Sequence, residues 1–385
     1  MARGWLKRAR ATLPKLLVRD DQHHRPWQQL ATWILLVPLV ASTAVSLEPS
    51  QNAIDVQAAR DRIAARAHAN RMRAETARKS QHVAAPRRTV VATEPTLDPA
   101  LLQTLDVEVG ASSSIGIRRA MEDRSCAVTF STPGDDPVAF VAVYDGHAGT
   151  HCASFLETAL VRHVQQSLSV TTLGFGALPH AMLGPLLTQA CALADDSFLR
   201  SHVADDSGSC AAFALIGRET FAVGNIGDSQ LVLGHHGDAI DLCAVHAPND
   251  PTEKRRIEAA NGRVLNNGRY IFGYLGVSRA FGDRMLKEDL ARPIVISQPD
   301  VVVRARSPHD EFLLLACDGL FEVMTPASAA SFVRAHLQTT PTSPAQVCDA
   351  LVAHAIALGS TDNVSVVLVV FAPEERTQHG EGRVG

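Results

Sequence analysis

Three apolar runs, each with an acid at one end, constrain this chain more than any other feature. Val138 to Tyr144 leads into Asp145-Gly146-His147, Phe312 to Cys317 leads into Asp318-Gly319, and Val364 to Phe371 follows directly on Asp362-Asn363. Apolar runs of this length, bounded by turn residues, read as buried strands. A single Asp-Gly is weak evidence, since turns use it wherever Gly must take positive φ and Asp can bond its own backbone. Acids at several strand ends say more. Gathered at one edge of a pair of sheets, they would repel one another unless a cation lay among them. Oxygen donors suit hard ions such as Mg²⁺ or Mn²⁺.

The intervening stretches supply the other elements. Cys152, Phe155, Leu156, Ala159, Leu160 and Val164 recur at helical spacing, and helical patterns also fit residues 251 to 260 and 345 to 358. Ala211 to Ile216 and Phe221 to Ile226 flank Gly217-Arg218-Glu219-Thr220 as a hairpin. From Val107 onward the chain therefore reads as strands and helices in alternation.

Charge divides the chain in two. The first hundred of its 385 residues hold 16 Lys/Arg against 8 Asp/Glu, and the remainder holds 20 against 32. The acidic part argues against a nucleic-acid binder, which would want a basic face there. A hydrophobic fraction of 46% is enough to fill a sizeable core and excludes wholesale disorder. The seven Cys are odd in number and widely scattered, which fits neither a disulfide framework nor a zinc site and points to a reducing compartment. None has Arg six positions later, so the thiolate-and-arginine spacing of a cysteine-dependent phosphatase is absent.

The basic head divides further. Residues 1–29 form a leader with seven Lys/Arg, residues 30–47 are uncharged and apolar, and residues 48–104 form an Ala- and Arg-rich linker. Eighteen residues at 1.5 Å rise span about 27 Å, against a hydrocarbon core of roughly 30 Å. Four readings of this head fit: residues 30–47 as a membrane anchor, as the apolar part of a cleaved signal peptide, or as a core helix or tail with an apolar patch, and Met1 to Arg19, rich in Arg and free of acids, as a mitochondrial presequence. The anchor is the preferred one. Failing any targeting role, the chain is expected in the cytoplasm. Positive charge lies on both sides of the run, so orientation cannot be read from it. The remaining expected divisions are a globular domain at 105–373 and a tail at 374–385.

Along that domain stand Arg118-Arg119-Ala120-Met121-Glu122-Asp123, Asp145-Gly146-His147-Ala148-Gly149, Gly208-Ser209-Cys210-Ala211, Gly227-Asp228-Ser229, Ser278-Arg279-Ala280-Phe281-Gly282-Asp283, Asp318-Gly319-Leu320-Phe321 and Asp362-Asn363-Val364-Ser365. His246-x-Pro248 with Glu253, Arg256 and Ile257 falls in the same order. In this order the motifs resemble the metal-dependent serine/threonine protein phosphatases of type 2C (PPM). The resemblance covers residues 105 to 372 and leaves the first hundred outside.

The resemblance implies an α+β fold, a four-layer αββα sandwich of two antiparallel β-sheets flanked by helices, with a binuclear site at one edge. It implies two Mg²⁺ or Mn²⁺ ions. Asp145 would bridge them, Asp318 and Asp362 would lie on one, and Glu122 and the Gly146 carbonyl on the other. Arg118 matches the phosphate-binding arginine, whose planar fork suits two phosphate oxygens. His147 matches the acid that protonates the leaving serine or threonine oxygen, a contribution of ~10²- to 10⁴-fold. A third ion would sit on Asp228, Asp318 and Glu322, although Glu322 stands where Asp is usual. Gln230 and Gly276 also depart from the common pattern. The implied reaction is direct hydrolysis of phosphoserine and phosphothreonine in phosphoprotein substrates by a water shared between the two ions. The alternative is a catalytically weak or inactive pseudophosphatase that holds phosphoproteins, and it would predict a missing ligand. The domain is expected to be monomeric, with substrate selectivity in surface loops such as Pro248 to Tyr274.

Overall fold

The computed structural model describes residues 97–372, apart from residue 289 and residues 339–341. The leader, the apolar run 30–47, most of the linker and the tail lie outside the described residues. Among the described residues, no helix is long and apolar enough to cross a membrane.

Helix α1 (Pro99–Leu105) opens the described chain, with Asp98 as its cap accepting from the Ala100 N–H at 2.9 Å and Pro99 at the first helical position. Strands β1 (Val107–Ser114), β2 (Arg124–Thr132) and β3 (Asp136–His147) follow, and then two long helices, α2 (His151–Ser169) and α3 (His180–Ser201). Next come β4 (Gly208–Ile216), β5 (Thr220–Ile226), β6 (Gln230–His235) and β7 (Asp238–Asp241). A less regular segment holds α4 (Pro251–Ala259), the short pair β8 (Val264–Leu265) and β9 (Tyr270–Ile271), and β10 (Phe281–Gly282). The chain continues through β11 (Asp300–Ala305), β12 (Asp310–Ala316), α5 (Asp318–Phe321), α6 (Pro326–Leu337), α7 (Pro344–Ala357) and β13 (Val364–Phe371).

Two antiparallel sheets result. One runs β11-β5-β4-β3-β2, with β10 paired to β4, and the other runs β1-β13-β12-β6-β7. Side-chain alternation along β3 shows how they stack. Ala139, Val141 and Val143 join Ala212, Ala214, Leu313, Leu315, Val367 and Val369 in a core between the sheets. Val138, Phe140, Ala142 and Tyr144, on the other face of the same strand, pack with Leu156, Leu160, Leu187 and Phe198 of α2 and α3. Phe312, Leu314, Val366 and Leu368 turn the outer face of the second sheet onto α6 and α7. A strand covered on both faces must be apolar at every position, which is why these runs are continuous in sequence. Helices outside two face-to-face antiparallel sheets are the four layers expected.

The described fold includes residues ahead of the expected boundary at 105. Leu105 is fully buried between the sheets, with Leu97 and Leu102 packed against the same core. One amphipathic turn between prolines carries little periodic signal in the sequence; here its apolar side covers the open end of the intersheet core. The segment around α4 is closed by ion pairs. Glu253 takes Arg256 at 2.7 Å and Arg279 at 2.8 Å, and these partners outweigh burial and hold its carboxyl down at about 2.

Candidate active site

Both sheets deliver acids to one edge. Asp145 is still within β3, opposite Cys210 of β4, so the strand runs on through Asp145-Gly146-His147 rather than ending before it. Asp228 lies in the tight connection of β5 to β6, behind Gly227 at φ 106. Asp318 starts α5 just after β12, and Asp362 lies two residues before the start of β13. Pairing of Ala316 with Val366 across the ladder brings the last two together. Ligand atoms of Asp145, Asp228 and Asp318 lie within 4.8 Å of one another.

Electrostatics at this edge are those of unneutralised carboxylates. Burial, reinforced by Asp318 and Asp123, pushes the Asp145 carboxyl well above its ordinary range. Burial followed by Asp228 and Asp362 raises Asp318 to about 8. Asp123 is raised to about 7, chiefly by burial, and its Oδ2 is buried without a hydrogen-bond partner. Burial raises Asp228 and Asp362 too, the latter against the pull of Arg118. An all-oxygen donor set with an orphaned carboxylate oxygen beside it is what a hard divalent cation would satisfy. The residues present fit the metal dependence expected.

The loop carrying Glu122 is fastened to this edge by one amide. Asn363 Oδ1 accepts the Glu122 N–H at 2.8 Å, and its Nδ2 donates to the carbonyls of Ile115 and Ala120, both at 3.0 Å. Gly146 completes the junction, because a Cβ there would collide with the Glu122 carbonyl. The Glu122 and Gly146 backbones are thereby side by side. Arg118 reaches across to the Asp362 carboxylate and donates from Nε to the Thr361 carbonyl at 3.1 Å, with its side chain still 49% exposed at the mouth. The Glu322 carboxylate accepts from Ser360 Oγ at 2.8 Å and the Thr361 N–H at 2.6 Å. Glu122, Asp362 and Glu322 all lie outside the group formed by Asp145, Asp228 and Asp318.

His147 is held by a residue to which the sequence reading gave no role. Its Nε2 lies 2.9 Å from Oδ2 of Asp283, whose side chain is only 2% exposed. Burial alone would lower the imidazole, but the charge and hydrogen bond of Asp283 outweigh it and the net shift is upward. Asp283 is itself fixed in the left-handed region at φ 51, beside Gly282, whose N–H donates to Asp195 at 2.8 Å. Asp123, Asp283 and Asn363 thus join the site, each from within one of its sequence motifs.

A sequence model of the family described as protein phosphatase 2C matches residues 107–364. A rice (Oryza sativa subsp. japonica) protein named probable protein phosphatase 2C 8 is 34% identical over 319 residues, spanning 72% of this chain and 78% of its own. Protein phosphatase 1B of Rattus norvegicus is 34% identical over 275 residues, 68% of this chain and 70% of its own. Among solved structures, a phosphatase from a pathogenic strain of Toxoplasma gondii superposes with a TM-score of 0.58 at 25% identity, covering 70% of this chain and 95% of that one. With the motif order, the double sheet and the acidic edge, these likenesses place the chain in the protein phosphatase 2C family of metal-dependent serine/threonine protein phosphatases.

Proposed function

We propose that the acidic edge holds two Mg²⁺ or Mn²⁺ ions on Asp145, Asp318, Asp362, Glu122 and the Gly146 carbonyl, and that Arg118 and His147 handle the phosphoryl group beside them. The observation that carries this reading is the approach of Asp145, Asp228 and Asp318 to within 4.8 Å, with all three carboxyls raised by burial and those of Asp145 and Asp318 raised further by neighbouring acids. When bound, such ions supply a Lewis acid for the phosphoryl oxygens and a water acidified towards neutrality. Asp228 supports an additional ion on the Asp318 side, without Glu322.

The chain's own groups do the rest. Arg118, half exposed and anchored on Asp362, presents a planar fork to two phosphate oxygens and offsets charge building there in the transition state. His147 is engaged at Nε2, so Nδ1 is the atom from which a proton passes to the departing serine or threonine Oγ as its bond to phosphorus breaks. Asp283 favours the charged form of that imidazole and fixes its position. The inactive-binder alternative predicted a missing ligand, and Glu122, Asp145, Gly146, Asp318 and Asp362 are all present.

The test is turnover of a phosphothreonine peptide by the purified full chain with Mn²⁺, with chelator, and as Asp318→Asn. Activity with Mn²⁺ and its loss in the other two arms are expected. Full activity in chelator, or in the variant, would overturn the assignment.

A further inference from the structure

Away from the acidic edge, at the opposite end of β12, two turns bring three imidazoles together. His235 ends β6, and His236 and Gly237 lead into β7 with φ of 51 and 90, the two left-handed residues of a tight hairpin turn. His309 ends the connection from β11, and Asp310 is the first residue of β12. The turns are joined through the backbone, the His236 N–H donating to the His309 carbonyl at 3.0 Å. The His309 ring centre lies 4.7 Å from that of His236 and 6.1 Å from that of His235. Two imidazoles on one tetrahedral ion, with nitrogen–metal bonds of about 2.0–2.1 Å, have ring centres about 5 Å apart.

Asp310 is the independent observation. Its side chain is 1% exposed, with Oδ1 2.7 Å from Nδ1 of His235 and Oδ2 accepting the Ser307 N–H at 2.8 Å. A buried carboxylate on Nδ1 fixes the ring and its tautomer and leaves the Nε2 lone pair for a metal, the arrangement in which ligating histidines are typically held. His236 and His309 are exposed, and their side chains must rotate to meet an ion with His235, since among the described residues only the acidic group already has its ligand atoms within 4.8 Å of one another.

We propose that His235, His236 and His309 form a second metal site, with solvent in the remaining position, for Zn²⁺ or a like borderline transition-metal ion. Imidazole nitrogens suit such ions, whereas the carboxylates of the acidic edge suit Mg²⁺ and Mn²⁺. The seven residues of β12 between the two places span about 20 Å at roughly 3.3 Å each, so the ions are not shared. A bound ion would clip the β6–β7 hairpin, at the sheet margin, to the β11–β12 turn.

Equilibrium dialysis of the full chain against Zn²⁺ in excess Mg²⁺ tests this with wild type, the double variant His236→Ala/His309→Ala, and Asp145→Asn. Wild type and Asp145→Asn are each expected to hold one more zinc than the double variant at micromolar free zinc. Asp310→Asn is expected to weaken that binding ~10- to 100-fold by releasing His235. Far-UV circular dichroism checks that the double variant, altered at two exposed positions, remains folded. Equal zinc in wild type and double variant overturns the site, as does loss of the extra zinc in Asp145→Asn.

Discussion

Nε2 of His147 and Oδ2 of Asp283 meet at 2.9 Å, joining the last residue of β3 to the residue after β10. The pair makes the charged imidazole the favoured form. Because the proton donor must be protonated, activity should fall as pH rises through the raised value. Removing the charge with Asp283→Asn lowers that value, so the alkaline limb of the kcat profile is expected to move towards lower pH. His147→Ala should lose ~10²- to 10⁴-fold in kcat and lose the limb altogether. Alkaline limbs that coincide in wild type and Asp283→Asn would remove His147 from the acid role.

Gly208 lies opposite His147 in the β3–β4 ladder, where a Cβ would strike both the imidazole and the Asp283 carboxylate. Gly208→Ala is expected to leave the fold intact, displace the pair, and lower kcat by up to ~100-fold, as sub-ångström misplacement at a reacting centre does. Steady-state kinetics beside a thermal melt separate this from simple unfolding.

Metal removal should make stability depend on pH in an unusual direction. Asp318, at 3.8 in the unfolded chain, holds its proton to about 8 in the fold, and Asp123 holds its own to about 7. Between those limits the folded state binds more protons than the unfolded one, so stability falls as pH rises. In chelator the melting temperature is expected to drop steadily from pH ~4 to ~8. The increase on adding Mn²⁺ should be largest at the alkaline end. A metal-free melting temperature that climbs over the same range would contradict the burial and repulsion described.

Asn363→Ala removes three hydrogen bonds that fasten residues 115–122 to the acidic edge. A loss of ~1–3 kcal/mol in urea unfolding is expected from the unpaired groups left behind. The Mn²⁺ concentration for half-maximal activity should rise as well, because Glu122 is no longer held against Gly146. If that concentration stays the same, Asn363 is a stabilising residue only.

Residues 30–47 are proposed to tie the enzyme to a membrane. Carbonate extraction of cells expressing the full chain, beside a version lacking residues 1–50, checks this. Retention in the pellet only for the full chain is expected, and equal release of both would rule the anchor out.

The strands were legible because burial on both faces forces unbroken apolar runs, as in Val364–Phe371. Helix α3 was not, for its Gly184-Pro185 pair reads locally as a turn while Leu183, Leu187, Ala190 and Phe198 bury one face regardless. The primary acids were legible from motif order. Asp283 was not, since its meaning depends on a partner 136 residues away. The grouping of His235, His236 and His309 is likewise a product of which turns the two sheets place side by side.

Because β3 does not end before its functional groups, Asp145, Gly146 and His147 are each matched to a residue of β4. Amides in such a ladder open to solvent only in large cooperative unfolding events, whereas loops open readily and alone. Amide hydrogen exchange at these three positions therefore belongs with the slowest in the domain. The part of the centre carried by β3 therefore stays in place while the connections that carry Arg118, Glu122, Asp228 and Asp362 are free to open around it.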